Sequence, residues 1–216
     1  MIEMELLGPL KMNQIDLDQA DIDRLTLYIK KLEKWGNIHA LTSVSAREIP
    51  YVFVVEPIVA AKALGNLVDP LRCLDMGTGF GNPGVAMSVY FKKSEFLLVD
   101  ASYKKTALLR QIVDEAKFER IKVVTSRLEE LEEKDFDLVV SRGIGPLDRT
   151  LRYSLKFLKE GGLVAIFKAK IDQQELSTVR VENLKFERTM NLRVMYPSKE
   201  ASRYLIVYSK STVLES

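Results

Sequence analysis

Residues 73–84, which read Cys-Leu-Asp-Met-Gly-Thr-Gly-Phe-Gly-Asn-Pro-Gly, constrain the fold more than any other stretch of the chain. An apolar run ends on an acid, Asp75, and three alternate glycines, Gly77, Gly79 and Gly81, lead into Pro83. Glycines accept unusual dihedrals and let a ligand approach bare backbone. A proline suits the first turn of a helix, where its missing N–H leaves no partner unsatisfied. Strand, glycine turn and helix in this order form the cofactor entry of a doubly wound α/β sheet.

The remaining pattern agrees with such a sheet. Strands are predicted at 71–76, 95–99, 121–125, 136–140 and 162–168, with helices at 83–92, 102–117 and 146–159 between them. Ser102 is placed to cap the second of these helices, and Gly161-Gly162 to turn the chain into the fifth strand. A short helix at 172–180 precedes two alternating segments, 184–194 and 203–209, which read as an antiparallel pair. Upstream, residues 1–14 read as a loose arm and 17–36 as a helix stopped by Gly36-Asn37. Ser45 and Glu48 fit a capping box, Pro50 and Pro57 break the chain into short pieces, and 57–64 read as a helix ending at Gly65. The expected fold is α/β and Rossmann-like, a doubly wound sheet that is mostly parallel with an antiparallel terminal strand. A helical N-terminal extension, 1–66, precedes the sheet domain, 67–216.

Composition narrows the chemistry. The chain has 216 residues, 47% hydrophobic and 29% charged, enough for one sizeable core. No apolar run is long enough to span a membrane, and the acidic, mixed N-terminus does not read as a signal peptide. One cysteine, Cys73, and one histidine, His39, leave no internal disulfide, no Cys/His metal site and no histidine triad, and fit a reducing cytoplasm. The net charge of +2 is unevenly spread: residues 1–70 carry 7 Lys/Arg against 10 Asp/Glu, and residues 71–216 carry 25 against 20. The basic part suits phosphates, although a solvated mixed surface has the same composition.

Three features bear on the cofactor. Asp75 precedes the first glycine by two residues, where it can meet an amino group. Asp100 ends the second strand 23 residues after Gly77, where a carboxylate can accept both hydroxyls of a ribose. Ser126 to Glu130 follow the third strand, where an adenine edge would lie. An amine, a ribose and an adenine describe S-adenosylmethionine better than NAD, whose pyrophosphate needs a helix N-terminus. No Tyr-x-x-x-Lys or proton-relay histidine is placed for hydride chemistry, although Asp75 and Asp100 also read as plain strand-end caps.

The acceptor is approached by elimination. Cys73 lies within the first strand, away from any position for a thiolate nucleophile. After the fourth strand, Ser141-Arg142-Gly143-Ile144-Gly145-Pro146 lacks both the Asn/Asp-Pro-Pro-aromatic segment of exocyclic-amine methylation and a carboxylate cluster for metal-assisted O-methylation. Arg142 instead presents a fixed cation at the carboxyl end of the sheet. This suits an acceptor that needs no deprotonation, such as guanine N7, whose in-plane lone pair requires placement rather than a base. Arg142 can bind the methionine carboxylate of a donor or pair with guanine O6 and N7, and both readings stay open.

With these residues assembled, the chain resembles the RsmG (glucose-inhibited division protein B) family from about Leu25 to Tyr208. The resemblance rests on Leu41-Thr42-Ser43, the Asp75–Gly84 loop, Asp100 with Lys104 and Lys105, Ser126-Arg127-Leu128-Glu129, Ser141-Arg142, Phe167-Lys168 and Arg203. It implies methylation of a guanine N7 in a decoding-region loop of bacterial 16S rRNA, with S-adenosylmethionine as donor and S-adenosylhomocysteine as product. It further implies that Asp75, Gly77, Thr78, Gly79, Gly81, Asn82 and Asp100 hold the cofactor, with Leu128 and Glu129 near its adenine. Arg142 would sit between cofactor and base, with Lys168 as a second catalytic cation. Lys104, Arg127, Lys168 and Arg203 would bind RNA. The partner would be 16S rRNA or a small ribosomal subunit precursor, met in the cytoplasm by a monomer without metal or membrane. The chain departs from the family pattern at Ala40, at Phe53-Val54-Val55-Glu56-Pro57, at Ala101 and at Gly143. Each cation also reads as surface: Lys104 and Lys105 as a solvated helix face, Lys168 and Arg203 as partners of acids in the terminal sheet. A non-catalytic RNA-binding or assembly protein and a small-molecule methyltransferase are the competing functions.

Overall fold

The computed structural model describes residues 3–39 and 44–211. Seven strands form one sheet: β1 (Arg72–Met76), β2 (Glu95–Asp100), β3 (Ile121–Thr125), β4 (Phe136–Arg142), β5 (Leu158–Lys168), β6 (Leu184–Tyr196) and β7 (Lys199–Lys210). Their order is β3-β2-β1-β4-β5-β7-β6. The first five run parallel, and β7 lies antiparallel between β5 and β6. The chain winds outward from β1 to β3 and then returns to β4, so the order reverses between β1 and β4. That reversal opens a crevice beyond the carboxyl ends of the two strands.

Helices cover both faces, which is why the central strands are continuous apolar runs such as Leu138-Val139-Val140. On one face, α4 (Gly84–Tyr90) and α5 (Tyr103–Glu115) bury Val85, Leu109 and Ile112 against Leu98 and Val140. On the other, α6 (Leu147–Phe157) buries Leu147, Leu151 and Phe157 against Val139 and Val164, and Leu176 of α7 (Gln173–Thr178) packs beside them. Ser102 caps α5 as its sequence position suggests, accepting from Lys105 N–H. Pro83 is the residue before α4 rather than inside its first turn. β5 begins at Leu158, so Gly161-Gly162 lies within the strand, where the pairing register with β4 shifts, instead of turning into it.

The N-terminal part is more helical than its sequence suggests. The stretch read as a loose arm contains α1 (Glu3–Met12). Leu6 and Leu10, four residues apart, are both buried, and that packing outweighs Gly8 and Pro9. The Asn13 side chain then bonds the backbone of Met195 in both directions, at 2.9 and 2.7 Å, which fastens the extension to the sheet's outer strand. α2 (Gln19–His39) runs through Gly36-Asn37 instead of stopping there. Ala40 and the Leu41-Thr42-Ser43 segment lie outside the described residues, as does the His39 side chain. Ser45 does not make its side of the expected box: its hydroxyl donates to the Glu48 carboxylate at 2.7 Å and caps no backbone N–H. Pro50 and Pro57 do not scatter the chain. A 3-10 turn (Ala46–Glu48), a π-helical turn (Tyr51–Val55) and α3 (Glu56–Leu64) follow almost without interruption. The wider π turn falls where the ring of Pro57 would meet the carbonyl of Phe53. Tyr28, Val54 and Ile58 enter the same apolar cluster as Leu98 and Leu109, so the extension covers one face of the sheet.

Candidate active site

The glycine turn is built around one carboxylate. Asp75 is fully buried at the end of β1, and its Oδ2 accepts from Thr78 Oγ1 at 2.6 Å and from Gly84 N–H at 2.8 Å. It thereby ties both ends of the turn, while Thr78 N–H donates to the Val99 carbonyl at 3.0 Å. Burial pushes the Asp75 carboxyl up to about 7, against the lowering effect of those two donors. Its Oδ1 has no partner among the described residues. Gly77 has φ 69°, and a Cβ there would overlap Ile144 of the β4–α6 loop. Over Gly79, with φ 59°, a Cβ would meet no atom of the described residues within 4 Å. The turn is therefore closed beneath and open above.

Asp100, at the end of β2, faces that opening. Its Oδ2 accepts from Gly79 N–H and its Oδ1 from Ser102 N–H, each at 2.9 Å. Each oxygen retains a further acceptor site. A cavity of ≈ 320 Å³ lies here, bounded by Gly77, Asp100, Leu128 and Glu129, with Arg127 exposed at its rim. This lies within the ~300–1,000 Å³ of typical ligand clefts. Ile144, Arg149 and Tyr153 complete the wall. Tyr153 O–H donates to Glu129 and holds that carboxyl below its ordinary range. The Arg149 guanidinium lies 5.6 Å from the Tyr153 ring centre. A larger hollow of ≈ 500 Å³ lies among Arg72, Glu95 and Arg120, at the amino ends of the strands. It contains no part of the glycine turn, and ligands of open α/β sheets bind at the carboxyl ends.

The residues expected to hold a cofactor divide into two groups. Gly77, Gly79, Asp100, Leu128 and Glu129 meet at the crevice. Asp75, Thr78 and Gly81 face the interior: a Cβ on Gly81 would lie 2.5 Å from Val85 and 2.9 Å from Leu109. These three hold the turn in shape, because a loop crowded with glycines needs fixed partners to keep one conformation. Asn82 is half-buried, and its Oδ1 is enclosed without a partner among the described residues.

Arg142, at the end of β4, is held by an acid from the extension. Its Nη2 donates to Glu56 Oε2 at 2.7 Å and its Nη1 to the Val52 carbonyl at 3.4 Å. Glu56 is fully buried, and its Oε1 accepts from Arg203 Nε at 2.7 Å and from Tyr196 O–H at 2.6 Å. Ser141, the neighbour of Arg142, donates to the Met76 carbonyl at 3.1 Å and clamps β4 to β1. Lys168 lies elsewhere. Its strand neighbour Phe167 pairs with Arg142, so Lys168 points to the opposite face, where it meets Glu175 at 3.0 Å. Glu175 also accepts from Leu147 N–H at 2.8 Å, at the start of α6. The structure therefore separates the two cations expected at the reacting centre. Lys168 and Arg203 do pair with acids, but not with acids of the terminal sheet as the alternative expectation had it: Glu175 lies on α7 and Glu56 on α3. Lys104 is exposed on the first turn of α5.

The sequence reading missed Ile144, Arg149, Tyr153 and Glu56. Arg149 and Tyr153 are four residues apart on one helical face, a detectable spacing. Glu56 is a lone acid in the apolar run 52–58, and a buried acid needs partners. Ile144 has no comparable signal. Among the described residues, no three His, Cys, Asp or Glu side chains are grouped to hold a metal ion, and no helix is long and apolar enough to cross a membrane.

Comparison with known proteins bears on the family and the fold. The family model of rRNA small subunit methyltransferase G matches residues 21–205. Ribosomal RNA small subunit methyltransferase G of Idiomarina loihiensis is 30% identical over 207 residues, 95% of this chain and 98% of that one. The protein of the same name from Neisseria meningitidis serogroup B is 29% identical over 196 residues, 91% and 92% of the two chains. Among solved structures, a SAM-dependent O-methyltransferase from Thermotoga maritima superposes with a TM-score of 0.55 at 15% identity, covering 88% of this chain and 73% of that one. That likeness carries the class I methyltransferase fold.

Proposed function

Because the chain belongs to the rRNA small subunit methyltransferase G family, we propose that it transfers a methyl group from S-adenosylmethionine to N7 of a guanine in 16S rRNA. The residues at the crevice fit the donor. Asp100 has acceptor sites for two sugar hydroxyls, Leu128 and Ile144 offer apolar walls for an adenine, and the backbone above Gly79 is open. When bound, the donor supplies a methyl group made electrophilic by its positively charged sulfur. Gly77 and Gly79 provide the close backbone approach, and Leu128 and Tyr153 exclude water from the adenine side.

The observation that carries the acceptor class is the state of Glu56. The carboxylate beside Arg142 is fully buried and accepts from two guanidiniums and a phenol, so it cannot serve as a general base. This favours an acceptor that arrives with its own lone pair, as guanine N7 does. Arg142 then orients the acceptor or the donor carboxylate, and Arg127, Lys104 and Arg203 meet the RNA backbone. The enzyme works as a cytoplasmic monomer on 16S rRNA or a small-subunit precursor.

Labelled S-adenosylmethionine incubated with unmodified small-subunit RNA and with particles tests the proposal. The expected product is 7-methylguanosine in the digested RNA; label in another nucleoside, or in none, overturns it. Arg142→Ala should lower transfer by about 100-fold or more while the fold persists. Near-normal transfer by that variant argues for an acceptor handled elsewhere.

A further inference from the structure

We propose that Glu56 is a positioning residue for methyl transfer: it binds Arg142 and Arg203 into one cationic unit with a fixed orientation at the carboxyl end of β4. The inference rests on the proposed reaction and extends it to a residue outside the glycine turn and the strand ends.

Glu56 begins α3 in the extension, whereas Arg142 ends β4 and Arg203 lies near the start of β7. One carboxylate thus joins three separate parts of the chain. Its two oxygens divide the work: Oε2 takes Arg142 at 2.7 Å, and Oε1 takes Arg203 at 2.7 Å and Tyr196 at 2.6 Å. Tyr196 is itself stacked on Tyr51 of the π turn, with ring centres 4.5 Å apart. Both guanidiniums stay partly open, with side chains 25% and 27% exposed, while the acid is sealed. A buried acid with two half-open arginines leaves one net positive charge facing outward. Charge-assisted bonds restrict each guanidinium to one orientation, and its remaining N–H groups then point in fixed directions. Leaving a buried carboxylate among apolar neighbours is unfavourable without such partners, so the arrangement holds only if the arginines stay.

Glu56→Gln separates positioning from charge. A carboxylate accepts on both oxygens, but an amide accepts on one and presents a donor on the other. The amide therefore opposes either Arg142 or the Arg203–Tyr196 side. It also raises the local charge by one, which on electrostatics alone would tighten RNA binding. Positioning predicts a kcat at least about tenfold lower, with KM for RNA and the affinity for S-adenosylhomocysteine each changed by less than about threefold. In a double-mutant cycle, E56Q should add less than about twofold to R142A, since it acts through that arginine. A kcat within about twofold of the unsubstituted enzyme, or losses that multiply across the cycle, overturns the inference. Glu56→Asp, which retains two acceptor oxygens, should recover most of the kcat, and an equal loss in E56D and E56Q also counts against it. A readout independent of the acceptor is the NMR of the Arg142 and Arg203 guanidinium groups. Hindered rotation is expected in the unsubstituted protein and averaged signals in E56Q; averaged signals in both overturn the proposal even if the acceptor is not guanine.

Discussion

The carboxylate of Asp100 accepts from Gly79 N–H at 2.9 Å, and this bond couples the end of the second strand to the open part of the glycine turn. Asp100 lines the cavity, so the cavity wall and the glycine turn are one hydrogen-bonded unit. Removing the carboxylate should leave two backbone donors, Gly79 N–H and Ser102 N–H, without partners. Asp100→Ala is expected to weaken S-adenosylhomocysteine binding by about 100-fold, from loss of charged-acceptor bonds of about 1.5–3 kcal/mol each. Calorimetric titration checks this; an affinity within threefold of the unsubstituted value, on the order of 0.7 kcal/mol, would place the sugar elsewhere.

Gly77 combines a φ of 69° with the close approach of Ile144. Gly77→Ala should destabilise the fold by about 1–3 kcal/mol through backbone strain and overlap. Adding Ile144→Ala should relieve the overlap and leave the strain, so chemical denaturation should show partial recovery. Complete recovery would mean that the dihedral carries no penalty.

Asp75 gives a pH signature with a defined sign. Its folded carboxyl is raised from 3.8 to about 7 by burial, so the folded state binds a proton that the unfolded chain has released. Its contribution is fully present below about 4 and declines as pH rises to 7, by about 1.4 kcal/mol per pH unit, then levels off. Asp75→Asn should remove this decline. Denaturant midpoints for both proteins between pH 4 and pH 8 provide the measurement, and parallel profiles would contradict it.

Glu175 links Lys168 to the first N–H of α6. Glu175→Ala should lower stability by about 1–2 kcal/mol, since a helix terminus and an ion pair lose their acceptor together. Lys168→Ala leaves the α6 bond intact and should cost less than half as much, measured by thermal unfolding. Equal losses would show that the ion pair, and not the bond to Leu147, dominates.

The parallel strands were legible because both-face burial writes them as short apolar runs, and the glycine turn because few other motifs place three alternate glycines after an acid. α1 was not legible. Gly8 and Pro9 are poor helix formers, and only the burial of Leu6 and Leu10 overrides them. The run through Gly36-Asn37 escaped for a similar reason, since local stop signals are weak beside tertiary packing. At the site, Asp100 could be placed from its position at a strand end, and Leu128 and Glu129 from the segment that follows β3. Lys168 could not, because one residue of register on a strand decides which face a side chain occupies.

The amino-acid sequence by itself determined the order of strands and helices from β1 onward, the glycine turn and the acid closing the second strand, because these follow from local periodicity and short spacings. Tertiary structure alone decided that Asp75 lies beneath the turn rather than in the crevice, that Ile144 and Tyr153 form its wall, and that Glu56 gathers Arg142 and Arg203. Those partners lie 86 and 147 residues from Glu56 along the chain. Nothing in local propensity encodes such a meeting; it arises only when the extension, β4 and β7 pack together and a buried carboxylate must find its donors.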